Sequence, residues 1–401
     1  MTDDSGRGCG AADSNTLGLR GAPESTVRRA LETDDPFPAT AGFAGVVGDV
    51  LVRDVLGRVP LFVERPVLEG ASVDPAAPVG SLASAAAFRP ATLEDPVPFP
   101  AGSRLEPGGA VQRVWALPGP DVCESGMSPM PTEADVVEAV DGAIRTAVEA
   151  LDTDADDVAV AFSGGVDSAL VAERLDAPLY VVGFPDSHDV AAARTAAASM
   201  DRELEVVELE PADLERAVPR VARATGRTNA MDVQIALPLF LAAERIAADG
   251  FEAMAVGQGA DELFGGYEKV VHLDHRVEAE TVRAAVREQV RTLPDQLPRD
   301  VLAIEAAGVK PVAPLLHDAV VEAALRLPEP WLADETERKR ALRAVAAKYL
   351  PESIAARDKK AVQYGSLVAR ELDRLARQAG YKRRMDDHVT TYVEALLEDA
   401  A

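Results

Sequence analysis

Residues 163–168 read Ser-Gly-Gly-Val-Asp-Ser and follow directly on the apolar run Val158-Ala159-Val160-Ala161-Phe162. A short buried strand that runs into a glycine-rich turn and then a helix can cradle a phosphate, because successive backbone N–H groups point at one anion. Gly164 and Gly165 allow backbone conformations that a side chain would forbid, and Asp167 stands where it can hold a divalent cation against that anion. No Gly-Lys-Ser/Thr follows, so this is not a Walker A loop. A second glycine-rich stretch runs Gly257-Gln258-Gly259-Ala260-Asp261-Glu262-Leu263-Phe264-Gly265-Gly266-Tyr267. Helix capping alone would explain one of Asp261 and Glu262, but not the surrounding glycines and Tyr267. Mg²⁺ favours one or two carboxylates together with phosphate oxygens and water, so Asp167 and Asp261 form a plausible pair for one ion.

Both stretches need a scaffold that brings them together. The pattern predicts helix 134–150, strand 158–162, helix 166–175, strand 179–184, helix 189–200, strand 204–209, helices 211–225 and 233–249, and strand 253–257. Strands and helices alternating at this spacing imply an α/β fold, a parallel sheet flanked by helices, with ligands held beyond the carboxyl ends of the strands. From 263 onward the pattern is almost purely helical, with breaks expected at Pro294, Pro298, Pro311, Pro314, Pro328 and Pro351. Upstream, residues 1–30 lack periodicity and read as a mobile tail. Residues 31–120 carry short apolar runs broken by Pro and Gly, such as Pro60-Leu61-Phe62-Val63, and read as a small β-rich domain. Residues 121–133 read as a linker and 134–401 as the main domain.

The two loops together resemble the signature of the asparagine synthetase and β-lactam synthetase family, and the first alone resembles the pyrophosphate-binding loop of ATP pyrophosphatases. The resemblance continues through Thr228-Asn229-Ala230-Met231, Ala236-Leu237-Pro238-Leu239, Arg299-Asp300 and Lys339-Arg340-Ala341-Leu342-Arg343. It extends through Leu350-Pro351-Glu352-Ser353-Ile354 and Arg357-Asp358-Lys359-Lys360-Ala361-Val362-Gln363-Tyr364-Gly365-Ser366, and covers about 134–375. It implies an adenine nucleotide α-hydrolase-like fold and ATP and Mg²⁺ as cofactors. A substrate carboxylate would attack the α-phosphorus of ATP, and an amine would then displace AMP to form an amide. Ser163, Gly164, Gly165, Val166, Asp167 and Ser168 would grip the leaving pyrophosphate, with Val182 and Gly257 completing the nucleotide site. Asp167 and Asp261 would hold the metal, and Lys359 matches the family's catalytic lysine, with Lys360 its neighbour and rival.

The pattern also departs from the family. Many members carry an acid where this chain has Gln258, which can hydrogen-bond but cannot act as a base. The deprotonating role then passes to Glu262 or Tyr267. The family's Gly-Leu-Glu-Val-Arg-Val-Pro-Phe-Leu-Asp becomes Gly308-Val309-Lys310-Pro311-Val312-Ala313-Pro314-Leu315-Leu316-His317. Lys310, Val312 and His317 imply either a changed amino-acid substrate or a rebuilt helical wall. Glutamine-using asparagine synthetases begin with a cysteine after Met1, whereas residue 2 here is threonine. Residues 51–62, with Leu82-Ala83-Ser84, Pro100-Ala101-Gly102 and Val114-Trp115-Ala116-Leu117-Pro118, resemble the back half of that glutaminase domain. The expectation is a truncated, inactive remnant serving as a structural cap, with Cys9 exposed as a nucleophile only if eight residues were trimmed. Nitrogen would then come from free ammonia or from a separate glutaminase partner.

Bulk composition excludes several classes. The net charge is −26, and only seven of 41 basic residues are lysine, which argues against a nucleic-acid partner and resembles the acidic surfaces of halophilic proteins. Cys9 and Cys123 are the only cysteines, so no disulfide framework or zinc cluster is expected, and His272 and His275 read as a solvated pair. No run approaches a membrane span and no signal pattern opens the chain, so a cytoplasmic protein with small-molecule substrates is expected, as a monomer or homodimer. The aspartate side chain is the first candidate acyl substrate. The alternatives are a β-lactam-synthetase-like ligase acting on another carboxylate, and a nucleotide-binding regulator that has lost the chemistry.

Overall fold

The computed structural model describes residues 17–69, 84–119, 130–153, 157–271, 279–334, 336–357, 365–384 and 387–400. The amino-terminal part is antiparallel. Strands β1 (Ala44–Val47), β2 (Val50–Arg53), β6 (Ser103–Leu105) and β7 (Gln112–Arg113) pair in the order β1-β2-β6-β7. Strands β3 (Phe62–Glu64), β4 (Ala86–Ala87) and β5 (Pro96–Pro98) form a second sheet in the order β4-β3-β5. Side chains along β1 and β2 alternate between two apolar clusters. Ala44 and Leu51 join a local cluster with Leu61 and Phe99, whereas Val47 and Val52 enter the large core shared with the rest of the chain.

The stretch read as a mobile tail is ordered from residue 17 onward. Helix α1 (Glu24–Thr33) buries Val27 and Ala30, and Trp115 Nε1–H donates to the Ala30 carbonyl at 3.4 Å. An apolar pair three residues apart was too short a pattern to declare a helix until its tertiary partner was known.

The rest is a five-stranded parallel sheet in the order β10-β9-β8-β11-β12, formed by β8 (Val158–Ala161), β9 (Leu179–Gly183), β10 (Leu204–Glu208), β11 (Ala253–Ala255) and β12 (Lys310–Val312). Every residue of β9 and β11 is buried, as expected of strands covered on both faces. Around the sheet lie helices α2 (Glu133–Glu149), α3 (Val166–Leu175), α4 (His188–Ser199), α5 (Pro211–Thr225), α6 (Ala230–Ala248) and α7 (Ala260–Phe264). They are followed by α8 (Val282–Ala306), α9 (Asp318–Leu325), α10 (Arg340–Ala346), α11 (Val368–Gln378) and α12 (His388–Asp399).

Two expectations about the carboxyl-terminal half need correction. Pro294 and Pro298 do not break the chain; both lie inside the 25-residue helix α8. A proline within a helix costs about 3 kcal/mol, and the burial of Leu293, Leu297, Leu302 and Ile304 on α8 offsets that local penalty. The region is also not purely helical, because Lys310–Val312 adds the edge strand β12 beside β11. Two prolines in five residues hid it, and an edge strand tolerates them.

Candidate active site

The first strand of the sheet, β8, has its successors β9 and β10 on one side and β11 and β12 on the other. The chain reverses direction of growth there, and a crevice opens between β8 and β11. The pairing Ala253↔Val158 and Ala255↔Val160 sets those strands side by side, so both glycine-rich turns leave the same edge. Gly164 has φ +72°, and a Cβ there would lie 2.7 Å from the Ala192 carbonyl oxygen of α4, so only glycine makes this turn. At Gly257 a Cβ would lie 2.9 Å from the backbone of Asp167 and Ser168, so the second turn presses directly on the first.

The first loop closes on its own serines. Ser163 N–H donates to Ser168 Oγ at 3.2 Å, and that hydroxyl donates to the Gly165 carbonyl at 3.2 Å. Gly165 caps α3, whose first-turn N–H groups at Val166, Asp167 and Ser168 have no partner within the helix. Those donors, with the positive end of the helix dipole, form an anion site. Val182 is buried near the end of β9, the strand that neighbours β8.

The two carboxylates expected to share a cation do meet, and the cation between them is Lys339. Its Nζ lies 2.9 and 2.7 Å from the two oxygens of Asp167 and 2.6 Å from Asp261 Oδ1. Burial alone would push this ammonium down, but Asp167 and then Asp261 outweigh it and hold its pKa above the ordinary lysine value. Lys339 caps α10 with left-handed φ 57° and ψ 38°, a strained conformation for a side-chain-bearing residue, held because its ammonium is tied to both acids. The cluster is sealed on one side and open on the other, with side-chain exposures of 3% for Asp167 and 35% for Asp261. Sequence reasoning assigned Lys339 no role; its one signal was rarity, since it is one of seven lysines.

Two carboxylates that already share a cation fit Mg²⁺, whose further ligands would be phosphate oxygens and water. Among the described residues no group of three or more His, Cys, Asp or Glu could hold a metal by itself, so the nucleotide would have to complete the coordination.

Glu262 and Tyr267, offered as alternative bases, face one another. Tyr267 O–H donates to Glu262 Oε1 at 2.5 Å. Burial pushes the Glu262 carboxyl above its usual range, opposed by the Tyr267 hydrogen bond. Burial, and then the Glu262 charge, also push the Tyr267 phenol upward. Lys359 and Lys360 lie outside the described residues, as do Cys9, Cys123, His272 and His275. The flanks of the 358–364 segment are nevertheless near the loop. Arg357 Nη1 donates at 3.1 Å to the Ala192 carbonyl, the oxygen beneath Gly164, and Phe184 N–H, just past β9, donates to the Ser366 carbonyl at 3.2 Å.

The unusual 308–317 stretch serves largely as framework. His317 is buried and caps α9, its Nδ1 accepting the Ala319 N–H at 3.2 Å. Lys310 is exposed at the start of β12, its Nζ donating to the Asp152 carbonyl at 3.1 Å, and Val312 is buried at the end of that strand. Gln258 donates through Nε2 to Asp300, a contact sequence spacing could not reveal.

Comparison with known proteins agrees with this geometry. The Asparagine synthase family matches residues 139–285 and 272–400. The chain is also 30% identical over 284 residues to a protein of Methanocaldococcus jannaschii named "Putative asparagine synthetase (glutamine-hydrolyzing) 1", covering 62% of this chain and 52% of that protein. The chain thus spans about half the length of the curated relative it matches. With the parallel sheet, the paired glycine turns and the Asp167–Lys339–Asp261 cluster all falling within the matched region, the chain belongs to the asparagine synthase family.

Proposed function

We propose that this chain is an ATP-dependent, AMP-forming amide ligase that adenylates a carboxylate, with the aspartate side chain as first candidate, and transfers ammonia to it. One observation carries the reading: Asp167 and Asp261, one from each glycine turn, share a single cation at the crevice between β8 and β11. An anion cradle alone would serve any phosphate ligand. Two acids beside it supply the means to bind a metal–pyrophosphate leaving group.

The loop N–H groups from Gly164 to Ser168, with the Ser163 and Ser168 hydroxyls, hold the β- and γ-phosphates. Lys339 releases the acids when ATP enters and turns its ammonium to the phosphate oxygens, where a flexible point charge follows the developing negative charge. Mg²⁺, when bound by Asp167 and Asp261, neutralises charge on the departing pyrophosphate. Lys359 is the candidate for stabilising the phosphorus and acyl centres, a role supported by the anchoring of Arg357 and Ser366 beside the nucleotide loop. The carboxylate oxygen attacks the α-phosphorus, the bond to the β-phosphate oxygen breaks, and the acyl-adenylate then yields an amide and AMP.

Nitrogen comes from free ammonia or from a separate glutaminase, and the amino-terminal β-sheets act as a cap. Arg58 supports the cap role, because it pairs with Asp318 at the start of α9 at 2.7 Å across the junction. A second reading, adenylation of a carboxylate other than that of aspartate, is favoured by Val312, an apolar residue where the family usually places arginine. Exchange of labelled pyrophosphate into ATP, dependent on Mg²⁺ and on one amino acid from a panel, tests the proposal. Aspartate-dependent exchange supports the first reading, dependence on another acid the second, and no exchange with any acid refutes both.

A further inference from the structure

Gln258 stands one residue past Gly257, whose backbone rests on Asp167 and Ser168, so it sits at the rim of the nucleotide crevice. Its Nε2 donates to Asp300 Oδ2. Asp300 is buried and gripped on both oxygens by Arg299, with Nε at 2.6 Å and Nη2 at 3.1 Å. Arg299 Nη1 in turn reaches Asp232 Oδ1 at 2.9 Å, and Asp232 Oδ2 takes Arg227 Nη1 at 3.1 Å and Asn229 Nδ2 at 2.7 Å. Four charged side chains from three segments thus end on one neutral amide.

This relay decides which way the amide faces. A carboxylate bound bidentately by arginine is ionised and only accepts hydrogen bonds. Gln258 must therefore turn its NH₂ toward Asp300, which presents Oε1 on the opposite side. Among the described residues that oxygen accepts no hydrogen bond, and the side chain is only half-buried. A buried ion-pair relay that does no more than hold a surface amide would be a poor use of desolvated charge. One that orients an acceptor at the rim of a reaction site has a function.

We propose that Gln258 Oε1 accepts an N–H of the nitrogen nucleophile and so positions ammonia for attack, with Asp300 and Arg299 as positioning residues that fix the amide's orientation. This rests on the amide-ligase reading. The nitrogen lone pair forms the new C–N bond, and the acyl C–O bond to AMP breaks with its electrons going to the AMP phosphate. The surplus nitrogen proton passes to that phosphate, and Gln258 carries no proton at any stage. The amide orients the nucleophile and leaves its deprotonation to the leaving group.

The test measures two half-reactions in the full chain, with ammonium chloride as nitrogen source and the acid that supports exchange. Gln258→Met keeps the side-chain volume and removes the acceptor. It should raise the KM for ammonia roughly five- to tenfold, as expected for one lost hydrogen bond, while amino-acid-dependent pyrophosphate exchange stays within about twofold of the parent. Asp300→Asn, whose amide no longer dictates which way Gln258 turns, should raise the same KM by a smaller factor, and Asp300→Glu should restore it partly. An unchanged ammonia KM in Gln258→Met, with exchange intact, overturns this inference and leaves the ligase reading standing. Equal losses in exchange and in ammonia use also overturn it, because they mark a structural role. A parent protein with no exchange overturns the ligase reading and this inference together.

Discussion

Two buried clusters in this molecule have the same charge count and opposite designs. At the crevice, Lys339 lies between Asp167 and Asp261; at the junction between the amino-terminal sheets and α9, Arg58 lies between Asp54 and Asp318, at 2.9 and 2.7 Å. Around Arg58 the acids are also held by the backbone. Asp54 takes the N–H groups of Leu56 and Arg58, Asp318 takes the Thr40 N–H and hydroxyl, and Arg58 donates to the Leu316 carbonyl. Every side chain there is at most 4% exposed. Around Lys339 no such backbone cage is seen at Asp167, whose oxygens take only Lys339 among the described residues, and Asp261 opens to solvent. A planar guanidinium with fixed donors suits a permanent joint, and an ammonium on a flexible stem suits a place that another cation will take. The lesson is that the same triad is structural or functional according to whether its acids have other partners and whether one edge is open.

The strongest way to break this comparison is to remove an acid at the crevice. Asp167→Ala should lower pyrophosphate exchange by about three orders of magnitude or more with the folded state retained, measured by exchange and by circular dichroism. The next is at the joint. Arg58→Met leaves Asp54 and Asp318 buried without their cation and should cost about 3–5 kcal/mol in chemical unfolding, with no recovery on adding Mg²⁺. Lys339→Met sharpens the contrast. It should cost less, about 1–2 kcal/mol, since Asp261 is partly solvated, and millimolar Mg²⁺ should restore most of that loss. If Mg²⁺ rescues both variants or neither, the distinction drawn here is wrong.

The smallest expected effect lies beside the joint, at His317. Burial holds its imidazole below the ordinary value of 6.5, only partly offset by Asp318. The unfolded chain therefore takes up a proton near pH 6.5 while the folded chain stays neutral. The associated stability is complete above that pH and is lost as pH falls below it. His317→Asn, which keeps a cap at α9, should flatten the stability profile below pH 6.5 by under about 1 kcal/mol, measured by thermal melts across pH.

Much of the scaffold was legible because its signals are local. The apolar run 158–162, the caps at Gly165 and Ser187 and the helical period of 211–225 place β8, α3, α4 and α5 to within a residue or two. The edge strand β12 and the continuity of α8 were not legible, because neighbouring elements override what Pro294, Pro298 and Pro311 favour on their own. At the site, Asp167 and Asp261 could be chosen from glycine spacing, whereas Lys339 and Asp300 could not. Neither lies in a glycine turn, and each acquires its meaning from a partner far along the chain.

By itself, then, the sequence determined the two glycine turns, the strands that launch them and the acids they carry, since φ preferences, apolar runs and capping residues act over a few neighbours. Tertiary structure alone decided that β8 and β11 are adjacent, that Lys339 bridges the two acids, that His317 caps a helix and that Gln258 faces Asp300. Electrostatic and hydrogen-bond energies depend on distance in space and on burial, and spacing along the chain encodes neither.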